Sequence, residues 1–217
     1  MSKTVLVIGE SGTGKSTAIH TLDPNSTFIF SVLGKPLPFR GYNNKYNADQ
    51  KNYHVSDNYK IALSYIKAIN ERRPEITTLV IDDFVYLMSH EFMGRVMEKG
   101  YDKYNELASH IWMIFKDLTN CRDDLTCFVL SHSDIDNQGK SKVRTIGKML
   151  DDKVCLEGMV STVLHSMIVD GEYKFLTQNN STHLAKSPMG MFDDLLIDND
   201  LQYVKEKIES YFNEGEE

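Results

Sequence analysis

Gly9-Glu10-Ser11-Gly12-Thr13-Gly14-Lys15-Ser16 is the stretch on which the reading of this chain turns. It fills the pattern G-x-x-x-x-G-K-[ST] at every fixed position. The glycines let the backbone wrap an anion with its N–H groups pointing inward, and the lysine carries a charge to the outer phosphates. The pattern needs a strand before it and a helix after it. Residues 4–8 are an apolar run of strand type, and residues 15–22 continue as a helix whose positive N-terminal end would face the anion. The expected ligand is a nucleoside triphosphate, taken as ATP, held by Gly9, Glu10, Ser11, Gly12, Thr13, Gly14, Lys15, Ser16 and Thr17. The Ser16 hydroxyl is the expected first ligand of Mg²⁺.

Two further strands end in polar residues. Leu79-Val80-Ile81-Asp82-Asp83 closes an apolar strand over residues 76–81. Asp82 at its tip is the expected second partner of Mg²⁺, and Asp83 is placed to act as general base on an attacking water. Phe128-Val129-Leu130-Ser131-His132-Ser133 ends the strand over residues 126–132. One large class of triphosphatases inserts such a strand between the two motifs above, and there His132 or Ser131 would report on the terminal phosphate.

Around these motifs, strands and helices alternate. Residues 27–32 have strand composition, and residues 33–55 read as a long irregular segment rich in Gly, Pro, Asn and Tyr. Helical spacing runs from Ser56 to Pro74 and again over residues 84–120, with a break at Gly100. In the second stretch Tyr104, Leu107, Ala108, Ile111, Phe115 and Leu118 form one apolar stripe. Residues 159–169 and 173–177 flank Asp170-Gly171-Glu172, a hairpin turn. A last helix covers residues 201–212. Alternation of this kind predicts a mainly parallel α/β sheet with helices on both faces.

Hydrophobic residues make up 41% of the 217, charged residues 25%, and the net charge is −7. Those proportions fit a folded domain and exclude a disordered tail. The charge is unevenly placed. Residues 188–217 hold nine acids and two bases, so the preceding 187 residues balance. Cys121, Cys127 and Cys155 have neither the spacing of a zinc site nor a disulfide framework, and read as reduced thiols. No run approaches the roughly 18 apolar residues of a membrane span, and Met1-Ser2-Lys3 leads straight into a strand without a signal peptide. The expected location is cytoplasmic, with no membrane partner.

Taken together, residues 9–17, 79–83, 128–132, the helix around Trp112 and Ala185-Lys186-Ser187-Pro188-Met189-Gly190-Met191-Phe192 resemble phage-encoded RecA-like ATPases. These are core-only relatives associated with single-strand annealing and recombination. The resemblance covers about residues 1–192. It implies a P-loop NTPase with a RecA-like core over 1–192 and a C-terminal β-hairpin extension, followed by an acidic segment with a helix over 193–217. It also implies ATP hydrolysis linked to single-stranded DNA, in a homo-oligomeric ring or filament inside the host cell. A single-strand-binding or annealing protein is the implied further partner. Lys186 matches the cation that such subunits offer to a neighbour's site. The sequence departs from the pattern at Ser31-Val32-Leu33-Gly34-Lys35, which lacks the catalytic Glu found just after the second strand in RecA. Asp83 is the substitute.

Two segments could hold DNA despite the acidic charge. Lys140, Lys142, Arg144 and Lys148 cluster after the His132 strand. Lys35, Arg40, Lys45 and Lys51 interleave with Phe39, Tyr42, Tyr46 and Tyr53, which offers phosphate pairing plus stacking. Two other readings stay open: a nucleotide kinase, which would need an arginine-rich lid, and a nucleotide-gated assembly module with little turnover.

Overall fold

Val5, Leu6, Val7 and Ile8 are all buried, so the strand that leads into the glycine-rich loop has no solvent face. That is the condition of a central parallel strand, covered on both sides. The computed structural model describes residues 3–147 and 149–213, and of residues 151 and 152 only the backbone. Its strands are β1 (Lys3–Gly9), β2 (Thr27–Ser31), β3 (Tyr53–Val55), β4 (Thr78–Asp82), β5 (Thr126–Ile135), β6 (Ser141–Val143), β7 (Thr162–Val169), β8 (Glu172–Leu176) and β9 (Leu196–Asp198). They form one sheet in the order β3-β2-β4-β5-β1-β7-β8-β9, with β6 paired to the far end of β5. β1 to β5 and β7 run parallel, while β6, β8 and β9 are antiparallel to their neighbours. The α/β fold is the one expected. β5 lies between β1 and β4, and β7–β8 is the hairpin that widens the sheet.

Period-two alternation sends the strand residues to two separate layers. Leu6, Ile8, Phe28, Phe30, Leu79 and Ile81 face α2 (Tyr59–Arg72), α3 (Val85–Gly94) and α4 (Asp102–Thr119). Val5, Val7, Ile29, Val80, Phe128 and Leu130 face α5 (Leu201–Asn213), together with Leu37 and Tyr46 from the irregular segment. Each large side chain buried this way stabilises the fold by about 1.5–3 kcal/mol before entropy is counted. The helical stripe on α4 is buried at Leu107, Ala108, Ile111, Phe115 and Leu118, whereas Trp112 is exposed under Lys116. Gly100, with φ of 96°, separates α3 from α4. Asp170 and Gly171, both at positive φ, make the two-residue turn between β7 and β8, a geometry that matches the twist of a hairpin.

Several elements differ from the sequence reading. The helix expected over residues 15–22 is a single 3-10 turn, Thr17–Thr21. The hydroxyl of Thr21 donates to Ala18 O at 2.9 Å, and Asp23-Pro24 follows at once. Thr, Ser and His are poor helix formers, and proline stops what they begin. The irregular segment contains a one-turn helix, α1 (Tyr42–Lys45), and β3. After the His132 strand, where the sequence shows only a cluster of bases, the chain forms β6. Residues 196–213, grouped by composition with an acidic segment, add β9 to the sheet edge and bury Leu201, Val204 and Ile208 of α5 in the second layer.

Candidate functional site

The parallel strands bring their C-terminal tips together, which is where open α/β sheets bind ligands. Gly9 stands opposite His132 in the β1–β5 register, and Ser31 stands opposite Asp82 in the β2–β4 register. Residues from four sequence regions thus meet at one end of the sheet.

The glycine-rich loop follows β1 with Gly12 at φ 84° and Gly14 at φ 96°, values that side chains with a Cβ rarely adopt. At Gly9 and Gly14 space is also closed to a side chain. A Cβ on Gly9 would lie 2.5 Å from Ser166 O, and one on Gly14 would lie 2.7 Å from the Tyr173 ring. Ser166 Oγ donates to Thr13 O at 2.6 Å, so β7 and β8 hold the loop from outside. Lys15 is buried and donates from Nζ to Gly9 O at 2.8 Å and Glu10 O at 2.6 Å. Burial pushes its ammonium down to about 8, against the opposing pull of Asp82 and Asp83.

Ser16 Oγ donates to Asp82 Oδ1 at 2.8 Å. Burial pushes the Asp82 carboxyl up to about 6, the Asp83 charge adds to the rise, and the Ser16 hydrogen bond opposes it. Neighbouring residues on a strand point to opposite faces, yet Asp82 and Asp83 serve one site. The reason is the backbone of Asp83, at φ 60°. This left-handed conformation ends the alternation between β4 and α3, and Asp tolerates it better than most residues. Asp83 is buried, its Oδ2 forms an ion pair with Lys35 Nζ at 2.9 Å, and its Oδ1 lies 3.9 Å from His132 Nε2. Burial lowers His132, and Lys15 lowers it further, so the ring is neutral at pH 7. Its edge meets the Tyr86 ring at 5.9 Å.

The donor set fits a triphosphate and Mg²⁺: a loop closed to Cβ atoms at Gly9 and Gly14, a buried lysine, and a hydroxyl already joined to a carboxylate. Bound between Ser16 and Asp82, Mg²⁺ would neutralise charge on the outer phosphates. The helix after the loop is one turn long, so the expected help from its dipole is small.

Lys15, Ser16, Asp82, Asp83 and His132 are brought together. Lys186 is not: its backbone N and O pair with Val163, both at 2.8 Å, beside β7 where β8 has ended. Lys140 and Lys142 lie on the turn and strand of the β5–β6 hairpin, and Arg144 follows it. Lys148 lies outside the described residues. Of the aromatics offered for stacking, Tyr46 is buried with its hydroxyl donating to Leu22 O at 3.2 Å, and Phe39, Tyr42 and Tyr53 pack on the second layer. They cover the sheet. Lys35, grouped with them as a DNA contact, stands at the site. Its signal in the sequence was Gly34-Lys35 just after the β2 strand, whose tip meets that of β4.

Cavities confirm the orientation only in part. One of about 430 Å³ runs beside the loop, lined by Glu10, Ser11, Ser133 and His165. A larger one, about 900 Å³, lies at the opposite ends of the strands near Lys3, Thr77 and Lys205. It touches none of the site residues, so motif geometry, not volume, locates the chemistry.

Residues 1–189 match the AAA domain family. The chain belongs to the AAA domain family. With the glycine-rich loop and its acidic partner in place, this AAA domain is a P-loop ATPase. No curated protein matches the chain. Among solved structures it is similar to a KaiC-like protein from the hyperthermophilic archaeon Pyrococcus horikoshii OT3, at 16% identity and a TM-score of 0.42. That match covers 80% of this chain and 76% of the other. No helix of the AAA domain is long and apolar enough to cross a membrane among the described residues.

Proposed function

We propose that this ATPase couples Mg²⁺-dependent hydrolysis to single-stranded DNA held on the β5–β6 hairpin, as a ring or filament of identical subunits. Lys15 holds the outer phosphates, and Ser16 and Asp82 hold Mg²⁺. Asp83 takes the proton of the attacking water, and neutral His132 orients that water or reads the terminal phosphate. One observation carries the coupling: His132 O accepts the Arg144 amide at 2.9 Å. The residue that faces Asp83 is thus also the base of the hairpin that bears Lys140 and Lys142.

Against the kinase reading, three of the six arginines are engaged away from the site. Arg73 pairs with Glu75, Arg95 with Glu91, Glu98 and Glu106, and Arg122 binds backbone carbonyls and Asp124. These arginines serve the fold. The resemblance to phage-encoded RecA-like ATPases supports a place in phage recombination or replication, in the host cytoplasm, beside a single-strand-binding or annealing protein. Lys186 would then act on a neighbour's nucleotide. Mixing Lys186→Ala with Lys15→Ala protein restores turnover if it does, and no rescue removes that role.

The coupling is tested by phosphate release with and without single-stranded DNA. Wild type is expected to be stimulated. Lys140→Ala/Lys142→Ala should lose the stimulation, keep the DNA-free rate, and reduce the slope of log affinity against log salt by about 1.4. Stimulation that survives the double change moves DNA elsewhere. Absence of stimulation in wild type favours the assembly module.

A further inference from the structure

Lys35 carries a charge to the site by a route separate from the P-loop. β2 ends at Ser31, beside Asp82 on β4. The chain then turns at Gly34, at φ 64°, whose amide donates to Ser31 Oγ at 3.1 Å. A Cβ at this position would stand 2.7 Å from Val55, so the turn requires glycine. The next residue is delivered over the tips of β2 and β4, with Nζ 2.9 Å from Asp83 Oδ2 and 5.9 Å from the Tyr86 ring centroid. Partial burial alone would lower the Lys35 ammonium; its contact with Asp83 and the Asp82 charge outweigh that and raise it.

The two lysines differ in what restrains them. Lys15 is buried and bonded to two carbonyls of its own loop. The Lys35 side chain is 59% exposed and held by one carboxylate. Asp83 is buried while the ammonium reaches solvent, so Lys35 has one singly charged anchor, against the double charge of a terminal phosphoryl group. Asp83 has a matching conflict. A carboxylate that activates water acts as a base, and an ammonium paired to Oδ2 weakens its basicity.

We propose that Lys35 is a phosphate ligand acting within its own subunit: when a triphosphate binds, its ammonium exchanges Asp83 Oδ2 for a non-bridging oxygen of the terminal phosphoryl group. The exchange has two consequences. Affinity depends on the third phosphate, because a diphosphate offers Lys35 nothing within reach. Asp83 regains its basicity when a group to be hydrolysed is present. The idea rests on the P-loop and Asp83 reading given above.

The test is equilibrium binding of ADP and of a non-hydrolysable ATP analogue, both with Mg²⁺, by calorimetry. Lys35→Met keeps length and removes charge, and Lys35→Arg keeps charge. Lys35→Met should weaken the triphosphate analogue by about tenfold or more and leave ADP within about twofold, while Lys35→Arg retains most of the preference. Equal weakening of both ligands, or of neither, overturns the proposal. A wild type that binds neither nucleotide overturns the P-loop reading beneath it. Binding in wild type with undiminished discrimination in Lys35→Met removes Lys35 alone.

Discussion

On one face of the sheet, Leu6, Ile8, Phe28 and Phe30 lie under three regular helices, α2, α3 and α4. On the other, Val5, Val7 and Ile29 lie under α5, the 3-10 turn after the P-loop, and the irregular chain that carries Leu37 and Tyr46. The helices of that face are consecutive, between residues 59 and 119, and Val143, Leu150 and Leu156 join their core from later in the chain. The mixed face gathers pieces from both ends of the chain and includes the turn that follows Lys15. Ala18 and Ile19 of that turn share a core with Leu201 and Val204, and Thr21 Oγ1 accepts the Gln202 amide at 3.2 Å. The helical face meets the site through Tyr86 at the start of α3, whereas the mixed face includes the turn that continues the phosphate loop itself.

That contrast can be broken or sharpened by substitution. Lys15→Ala has the largest expected effect, loss of triphosphate affinity by about a thousandfold, because a buried cation facing the phosphates is removed. Measured by calorimetry, affinity within tenfold of wild type would detach the loop from nucleotide binding. Asp83→Asn should lower the phosphate-release rate by about a hundredfold or more and leave analogue binding within about threefold. A normal rate would move the general base elsewhere.

The faces themselves are compared through Ile111→Ala and Leu201→Ala, each expected to cost about 2–4 kcal/mol in denaturant unfolding. Only Leu201→Ala should also weaken nucleotide binding, since its helix packs on the turn behind Lys15. Equal nucleotide affinity in the two variants would show both faces to be plain scaffold. The smallest effect concerns Asp82. Its folded pKa of about 6 lies above the unfolded value, so its contribution to stability is full below the unfolded pKa and is lost as pH rises through 6. Asp82→Asn should accordingly raise stability at pH 7.5 by about 1–2 kcal/mol, an advantage that vanishes below pH 4, while Mg²⁺-dependent binding falls. Thermal melts across pH check it, and an Asp82→Asn variant less stable than wild type at pH 7.5 would contradict it.

The helical face was legible in advance, because amphipathic spacing on α2 and α4 declares what each helix covers. So were the P-loop and the Asp82 strand, whose chemistry is written in contiguous residues. The mixed face was not. Phe39, Tyr42 and Tyr46 have no period, and aromatics among bases look the same whether they stack on nucleotides or on a sheet. Lys35 was hidden for a related reason. Its partner, Asp83, is brought near by the β2–β4 pairing, and only the turn at Gly34 hints at the reach. The composition of the last thirty residues was a poor guide to their packing, because α5 hides its apolar side beneath the charges that dominate a count.

The eight residues of the phosphate loop owe part of their shape to residues far from them. The ring above Gly14 belongs to Tyr173, and the hydroxyl that grips Thr13 belongs to Ser166, 153 residues downstream. The motif is therefore not portable. Grafted onto another α/β sheet without a β7–β8 hairpin, the same octapeptide would keep its glycines and lose the mould that shapes them.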